Sequence, residues 1–256
     1  MVDTPHSKCG GGNPMSVQVR PSVQFSPIQG GVYMQNQKGY PAWQFALEAT
    51  AITVFFSYIG LFVYSAVTNY SARAEQSSLL AVQLVLYALF AYITADFVSG
   101  LVHFLADNFG NPETPFFGKV FIYAFREHHV DPKAITHHAF VETNGANCLV
   151  SLPGLIYFHH ASASVLDYTF RFYFLVFYLG IFLTNQIHKW SHLDNPPRLI
   201  AALQRWHLIL PPAHHAIHHA APYDKYYCIT CGWLNAPLQQ LHFFQALKKV
   251  LRWDFR

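Results

Sequence analysis

Four long apolar stretches constrain the fold of this chain more than any other feature. They occupy residues 43–67, 79–102, 148–165 and 168–187, and the third is the weakest. A helix needs about 20 apolar residues to cross the hydrocarbon core of a bilayer. The chain is 52% hydrophobic and only 11% charged, whereas a soluble domain carries roughly a quarter charged residues. We therefore predict an all-α integral membrane bundle of about four transmembrane helices.

The polar parts of the chain divide it into a tail and a membrane domain. Residues 1–41 are polar and contain five prolines, which predicts a disordered or loosely ordered N-terminal tail. No apolar stretch follows the first residues, so a cleaved signal peptide is not expected. The membrane domain is expected at residues 42–256. Its apolar repeats at 198–210 and 237–251 predict helices that lie at the membrane interface.

Basic residues predict the orientation in the membrane. Four spans place the tail, the 103–146 segment and everything after residue 188 on one side, and fourteen of the sixteen Lys and Arg residues fall there. Only Arg73 and Arg171 fall on the other side. By the positive-inside rule, the first side is cytosolic. The net charge of +3 is too small to predict a nucleic-acid partner.

Histidine is the most unusual component of the sequence. Its sixteen residues outnumber the thirteen acidic residues, and thirteen of them lie in the 103–146 segment or from residue 188 onwards, at the predicted cytosolic face, with His6 in the tail. Neutral imidazole is the commonest metal ligand in proteins. The spacing of His103 and Asp107, and of His188 and His192, puts each pair on one helical face. The remaining candidates are Glu127, His128, His129, His138 and the four histidines of residues 214–219. The sequence therefore predicts a histidine-rich di-metal site at the cytosolic face.

Several chemistries remain open from the residues alone. These histidines exceed what one tetrahedral zinc ion needs, and imidazole suits iron, copper and zinc alike. Two irons that activate dioxygen are our preferred interpretation, because oxidising an unactivated C–H bond needs a metal-based oxidant. A membrane haem or electron-transfer protein with two axial histidines is one alternative, and a metal-binding or transport protein is another. The Cys228 and Cys231 pair has redox or zinc spacing but no second pair.

Several strings in the chain carry a family resemblance. His215, His218 and His219 match the HxxHH motif of membrane fatty-acyl desaturases and hydroxylases. Longer matches are DFVSGLVHFLAD at 96–107, FREHHVDPKAITHHAFVETNGAN at 125–147, HKWSH at 188–192 and LPPAHHAIHHAAPYDKYYCITCGWLN at 210–235. Together they resemble the plasmanylethanolamine desaturase family over about residues 80–240.

The resemblance implies an oxygen-dependent, di-iron enzyme in a membrane. Such an enzyme introduces the vinyl-ether double bond of plasmalogens into plasmanyl phospholipids, with electrons from a cytochrome b5-type or ferredoxin-type donor. Its membrane would be the endoplasmic reticulum in a eukaryote or the cytoplasmic membrane in a bacterium. The implied metal ligands are His103, Asp107, His128, His129, His188, His192, His215, His218 and His219. His138, Glu127 and His214 are expected to lie beside them.

Some features of the resemblance leave the substrate open. Residues 221–223 also resemble plastid relatives that act on an acyl chain of phosphatidylglycerol. A fatty-acyl desaturase or hydroxylase that acts on a phospholipid therefore remains the alternative to the ether-lipid enzyme.

Overall fold

The structure is a computed structural model that describes residues 40–76, 78–111, 113–114, 118, 122–161 and 168–253. The predicted N-terminal tail lies outside these ranges, apart from Tyr40 and Pro41. Within the described ranges the chain forms helices and turns and contains no β-strand. The prediction of an all-α fold is confirmed.

The described helices comprise four long and six short ones. In chain order they are α1 (Ala42–Gln76), α2 (Leu80–Asn108), α3 (Tyr123–Val130), α4 (Ala134–His137), α5 (Phe140–His160), α6 (Tyr168–Ser191), α7 (Arg198–Arg205), α8 (Pro212–His215), α9 (Asn235–Gln240) and α10 (Phe243–Trp253).

Three of the long helices have the length and hydropathy of a membrane span. These candidates are Ala42–Tyr70, Leu80–Asn108 and Tyr168–Ser191. The third predicted stretch, 148–165, falls in α5, which begins eight residues earlier and ends at His160. The predicted interfacial stretch at 237–251 is divided between α9 and α10, and His242 between them has a φ of 51°.

The long helices pack as two parallel pairs, and the two pairs run antiparallel to each other. α1 lies against α5, α2 lies against α6, and α5 and α6 join the pairs. Gly180 allows α6 to approach α2, because a Cβ there would lie 2.8 Å from the Cβ of Ala95. Between the pairs, Phe55 stacks on Phe182 with ring centroids 5.7 Å apart. Both rings are buried, and van der Waals contacts of this kind hold helices together inside a bilayer.

The packing places four helix ends together. Glu48 near the start of α1 contacts Gly145 near the start of α5, and at the opposite end the Tyr168 hydroxyl donates to the Ala66 carbonyl at 2.7 Å. The start of α1, the end of α2, the start of α5 and the end of α6 therefore form one end of the bundle. The functional side chains are found at this end.

Candidate metal centre and lipid cavity

The structure brings all nine predicted metal ligands together at this end of the bundle. α2 supplies His103 and Asp107 one turn apart, and α3 supplies the adjacent residues His128 and His129. α6 supplies His188, and His192 follows directly after that helix. α8 ends at His215, and the turn after it carries the HxxHH motif's last two histidines, His218 and His219.

The candidate ligands form two groups that share one histidine. In each group, ring nitrogens lie within 4.8 Å of one another. The first group is His128, His188, His192, His215 and His219. The second group is His103, His128, His129 and His218. Since His128 belongs to both, the two groups adjoin and can hold two neighbouring metal ions.

Distances in the first group fit ligands that converge on one ion. The Nε2 atom of His215 lies 2.9 Å from that of His188, 3.0 Å from that of His192 and 3.0 Å from that of His219. The His188 and His192 Nε2 atoms lie 3.2 Å apart. Two nitrogens bound at right angles to a metal at about 2.1 Å are about 3 Å apart. The spacing therefore matches a shared metal position.

The second group surrounds a carboxylate. Oδ2 of Asp107 lies 3.1 Å from Nε2 of His129, 3.4 Å from Nε2 of His103 and 3.5 Å from Nε2 of His218. Nε2 of His103, His128 and His218 is buried without a hydrogen-bond partner in the described part of the chain. A buried polar atom without a partner is costly, and a metal ion would satisfy these three nitrogens together.

Backbone carbonyls orient two of the rings. Nδ1–H of His103 donates to the Tyr227 carbonyl at 3.2 Å, and Nδ1–H of His218 donates to the Lys225 carbonyl at 2.7 Å. Since a carbonyl oxygen can only accept, the proton stays on Nδ1 and the lone pair stays on Nε2. Metal-binding histidines are commonly fixed in this way.

Burial keeps five of the candidate ligands outside the spans neutral. Desolvation, followed by neighbouring histidines, lowers the pKa of His128 and His215 well below the usual 6.5. Burial is also the largest cause that lowers the pKa of His192 to about 4, and those of His218 and His219 to about 3. At neutral pH these rings carry free lone pairs, which metal binding requires.

A cavity of about 650 Å³ begins at the histidines and extends between α2, α5 and α6. His128 and His188 line its metal end, next to Glu127, His138 and Glu142. Beyond them the lining is mostly aliphatic and aromatic, with Val98, Val102, Leu105, Val150, Phe177 and Ile181 among its residues. Val150 is 73% exposed, so the cavity reaches the lipid-facing surface of the bundle.

The length of the cavity suits an alkyl chain. Its lining on α5 runs from Glu142 to Gly154, and its lining on α6 runs from His188 back to Phe177. At a rise of 1.5 Å per residue, these segments are about 17 Å long. The arrangement can therefore hold a hydrocarbon chain with one end beside the two histidine groups.

A family model described as a lipid desaturase domain matches residues 92–256. The chain belongs to this lipid desaturase family. It is 47% identical to plasmanylethanolamine desaturase from Myxococcus xanthus over 218 residues, which cover 84% of this chain and 75% of that protein. It is also 47% identical to plasmanylethanolamine desaturase 1 from Mus musculus over 188 residues, or 71% and 68% of the two chains. Both matches confirm the resemblance found in the sequence.

A plant relative is more distant. Fatty acid desaturase 4, chloroplastic, from Arabidopsis thaliana is 36% identical over 163 residues, which cover 62% of this chain and 49% of that protein. No solved structure matches the chain.

Three further residues were expected beside the metal ligands of this lipid desaturase. Glu127 and His138 line the cavity, and burial, followed by Asp131 and Glu142, raises the pKa of Glu127. His214 belongs to neither histidine group, and its ring lies against Tyr226 with centroids 4.9 Å apart. Glu127 and His138 therefore lie at the metal end of the cavity, whereas His214 lies outside both histidine groups.

Asp96 is a residue of the desaturase whose role the sequence analysis missed. Its Oδ1 accepts hydrogen bonds from the backbone N–H groups of Thr230, Cys231 and Gly232 at 2.8–3.1 Å, and its Oδ2 accepts one from Leu234 at 3.2 Å. The carboxylate thus holds the segment that provides the Tyr227 carbonyl. The available signal was an acid inside an apolar stretch, which is unusual without a specific partner.

The two cysteines of the same segment have a packing role. Cys228 and Cys231 are buried free thiols, and burial raises the pKa of both. A Cβ at Gly100 would lie 2.5 Å from the Cys228 sulfur, so the thiol fills the space beside α2. The redox or zinc interpretation of this pair therefore gains no support from the structure.

The two histidines of the third apolar stretch lie far from the metal centre. His159 and His160 end α5 at the opposite end of the bundle, where the Tyr58 hydroxyl lies 3.3 Å from Nε2 of His160 and Phe62 contacts His159. Adjacent residues on one helix do not form the pair of opposed axial ligands that a haem needs.

Proposed function

We propose that this lipid desaturase acts on plasmanyl phospholipids and forms the vinyl ether of plasmalogens. The observation that carries the proposal is that His128 and His188, members of the converging histidine groups, form one end of an alkyl-sized apolar cavity. The names of the two 47% identical relatives give the substrate class. The reacting carbons of such a lipid are those next to its ether oxygen.

We further propose two iron ions, one in each histidine group, with Asp107 in the second. Imidazole and carboxylate are suitable ligands for iron. When bound, the iron pair supplies the chemistry that reduces O2 to water with two electrons and two protons from outside and two hydrogen atoms from the lipid. The electrons come from a cytochrome b5-type or ferredoxin-type donor.

The protein's own contribution is positioning and the exclusion of water. Carbonyls of Lys225 and Tyr227 keep two rings in the tautomer that ligation needs. The apolar walls beyond His188 hold the alkyl chain, while the phospholipid headgroup remains beside Glu127 and Glu142 at the polar end. A cavity with an apolar body and few polar groups at one end fixes the orientation of its ligand.

The same proposal places the metal centre and both termini on the cytosolic side. The excess of Lys and Arg on that side supports it, and so do the four helix ends that meet at the histidines. The membrane is the endoplasmic reticulum in a eukaryotic host and the cytoplasmic membrane in a bacterial one.

Histidine substitutions with lipid and metal analysis test the function. In cells that contain plasmanyl lipids, expression of the wild-type protein is expected to produce vinyl ethers, and His219→Ala should abolish them because it removes one converging nitrogen. His159→Ala is the matched control at the far end of the bundle, and its product level should be close to wild type. Lipid mass spectrometry and iron analysis of the purified proteins are the measurements.

Two results would refute the proposed function. One is an ether-lipid profile that does not change when the wild-type protein is expressed. The other is a purified, active protein without iron.

The identity to the chloroplastic fatty acid desaturase supports a second candidate, the desaturation of an acyl chain on a phospholipid. The same lipid analysis separates the two, because new double bonds would then appear in ester-linked chains and not beside an ether oxygen.

A further inference from the structure

The end of the cavity farthest from the metal centre is closed by an unusual contact between two helices. The lining on α5 does not continue past Gly154, and the lining on α6 does not continue past Phe177 and Tyr178. The Tyr178 side chain is buried. A Cβ added to Gly154 would lie 2.2 Å from the Tyr178 hydroxyl oxygen. The hydroxyl therefore occupies space that only glycine leaves open.

We infer that Gly154 and Tyr178 set the length of alkyl chain that the enzyme accepts. The inference rests on the proposed function, in which the reacting carbons are the first carbons of the chain. The whole alkyl chain must then lie beyond the metal centre, between His188 and the contact of Gly154 with Tyr178. We call this contact the end wall of the cavity. Ten residues of α6 separate His188 from Tyr178, which is about 15 Å at 1.5 Å per residue.

The contact predicts how a substitution at Gly154 changes the length of the cavity. Only the hydroxyl oxygen of Tyr178 conflicts with a Cβ at Gly154, since its Cζ and Cε1 atoms would lie at 3.4 and 3.9 Å. In Gly154→Ala the ring must move. The Phe174 ring, which does not line the cavity, lies against the Tyr178 ring with centroids 6.3 Å apart, whereas the cavity that Tyr178 lines offers open space. The ring therefore moves into the cavity and shortens it.

Removing the hydroxyl should cancel this effect. In Gly154→Ala/Tyr178→Phe the added methyl group has ordinary van der Waals neighbours, so the end wall returns to its position. Gly60→Ala is the matched control, because Gly60 also lies in a transmembrane helix but has no heavy atom within 4 Å of a built Cβ.

A competition assay tests the inference. The wild-type protein and the variants receive an equimolar mixture of plasmanyl phospholipids whose alkyl chains increase by two methylenes at a time. For Gly154→Ala, the ratio of long-chain to short-chain product should fall by about tenfold for the first chain that no longer fits. The double variant should restore the wild-type ratio, and Gly60→Ala should leave it unchanged.

A second readout needs no turnover. The chain lengths of lipids that copurify with each variant are measured by mass spectrometry, and they should shift to shorter chains in Gly154→Ala and to longer chains in Tyr178→Ala. If the wild type forms no vinyl ether but these shifts occur, the proposed reaction is wrong, and the inference that the end wall limits chain length is supported. If folded Gly154→Ala and Tyr178→Ala both retain the wild-type distributions of bound lipid and product, the inference is wrong.

If Gly154→Ala does not fold, Tyr178→Ala alone tests the inference. A shift to longer chains supports the end wall, and an unchanged distribution overturns it.

Discussion

Asp107 is the one acidic side chain among the nine candidate ligands, and its position explains why it is an aspartate. Its Oδ2 faces ring nitrogens from α2, from α3 and from the turn after α8. A buried carboxylate is costly unless a positive charge lies beside it. A metal ion at this position would compensate the buried negative charge.

We therefore expect Asp107→Asn to lose metal from the second histidine group. The amide keeps the size of the side chain but removes its charge, so the iron content should fall from two towards one ion per protein and the formation of vinyl ether should stop. His137→Ala, an exposed histidine outside both groups, is the control. Iron analysis of the purified proteins is the measurement, and full iron content in Asp107→Asn would remove this carboxylate from the ligand set.

At the residue level the sequence predicted which side chains meet but not what orients them. Helical spacing was enough for His103 with Asp107 and for His188 with His192, because residues four apart share a face. The carbonyls of Lys225 and Tyr227 could not be predicted in the same way. They lie in an irregular segment whose backbone directions depend on contacts with α2, more than a hundred positions earlier in the chain.

The irregular segment 227–235 acts as a structural element in its own right, and α2 holds it in place. Besides the four N–H groups bound by Asp96, the backbone N–H of Ile229 donates to the Ser99 hydroxyl at 3.0 Å. Asn235 closes the segment on itself by two hydrogen bonds to the backbone of Cys228. These bonds satisfy backbone groups that would otherwise be buried without partners.

Asp96→Asn should unfold more easily than the wild type. An amide offers one acceptor oxygen, and its NH2 group would face backbone donors, so the loss is about 3 kcal/mol of unfolding free energy. A lower midpoint of thermal unfolding in detergent is the measurement. Thr94→Ala serves as the control, because that hydroxyl bonds only the Phe90 carbonyl of its own helix. Equal midpoints for Asp96→Asn and the wild type would show that the four bonds do not stabilise the fold.

The helices themselves were largely predictable, and the exception has a physical cause. The sequence analysis assigned residues 103–146 to a polar segment, whereas α5 begins at Phe140. In the structure Asn144 donates to Gln186 at 3.1 Å, and Asn185 donates to Asn147 at 3.1 Å. Polar side chains that pair between two helices satisfy one another inside the bundle, and hydropathy along one chain segment does not reveal the partner.

At the scale of the whole molecule, the candidate metal centre joins two long, packed helices to short elements from other parts of the chain. α2, α3, α6 and the segment that contains α8 each contribute candidate ligands. α3 and α8 are short, with eight and four residues, and isolated helices of this length are unstable in water. Binding of metal at the two groups would therefore stabilise the arrangement of this whole end of the bundle.

Removal of iron should lower the thermal stability of the entire protein. A ligand held at a hundred times its dissociation constant stabilises the folded state by about 2.7 kcal/mol. For a chain of this size that corresponds to a decrease of roughly 5 to 10 °C in the unfolding midpoint. The measurement compares protein before chelation, after chelation and after ferrous iron is restored. If chelation does not change the unfolding midpoint, metal binding at the histidine groups does not stabilise the fold.

The apolar cavity has a kinetic consequence, because its side meets the bilayer and not water. Hydrocarbon chains of ordinary phospholipids fit the same walls and gain the same burial, so every lipid in the membrane competes for this position. Turnover is then an exchange of one lipid for another. Its rate depends on the mole fraction of substrate among the surrounding lipids, and inert phospholipids behave as competitive inhibitors at constant bulk concentration.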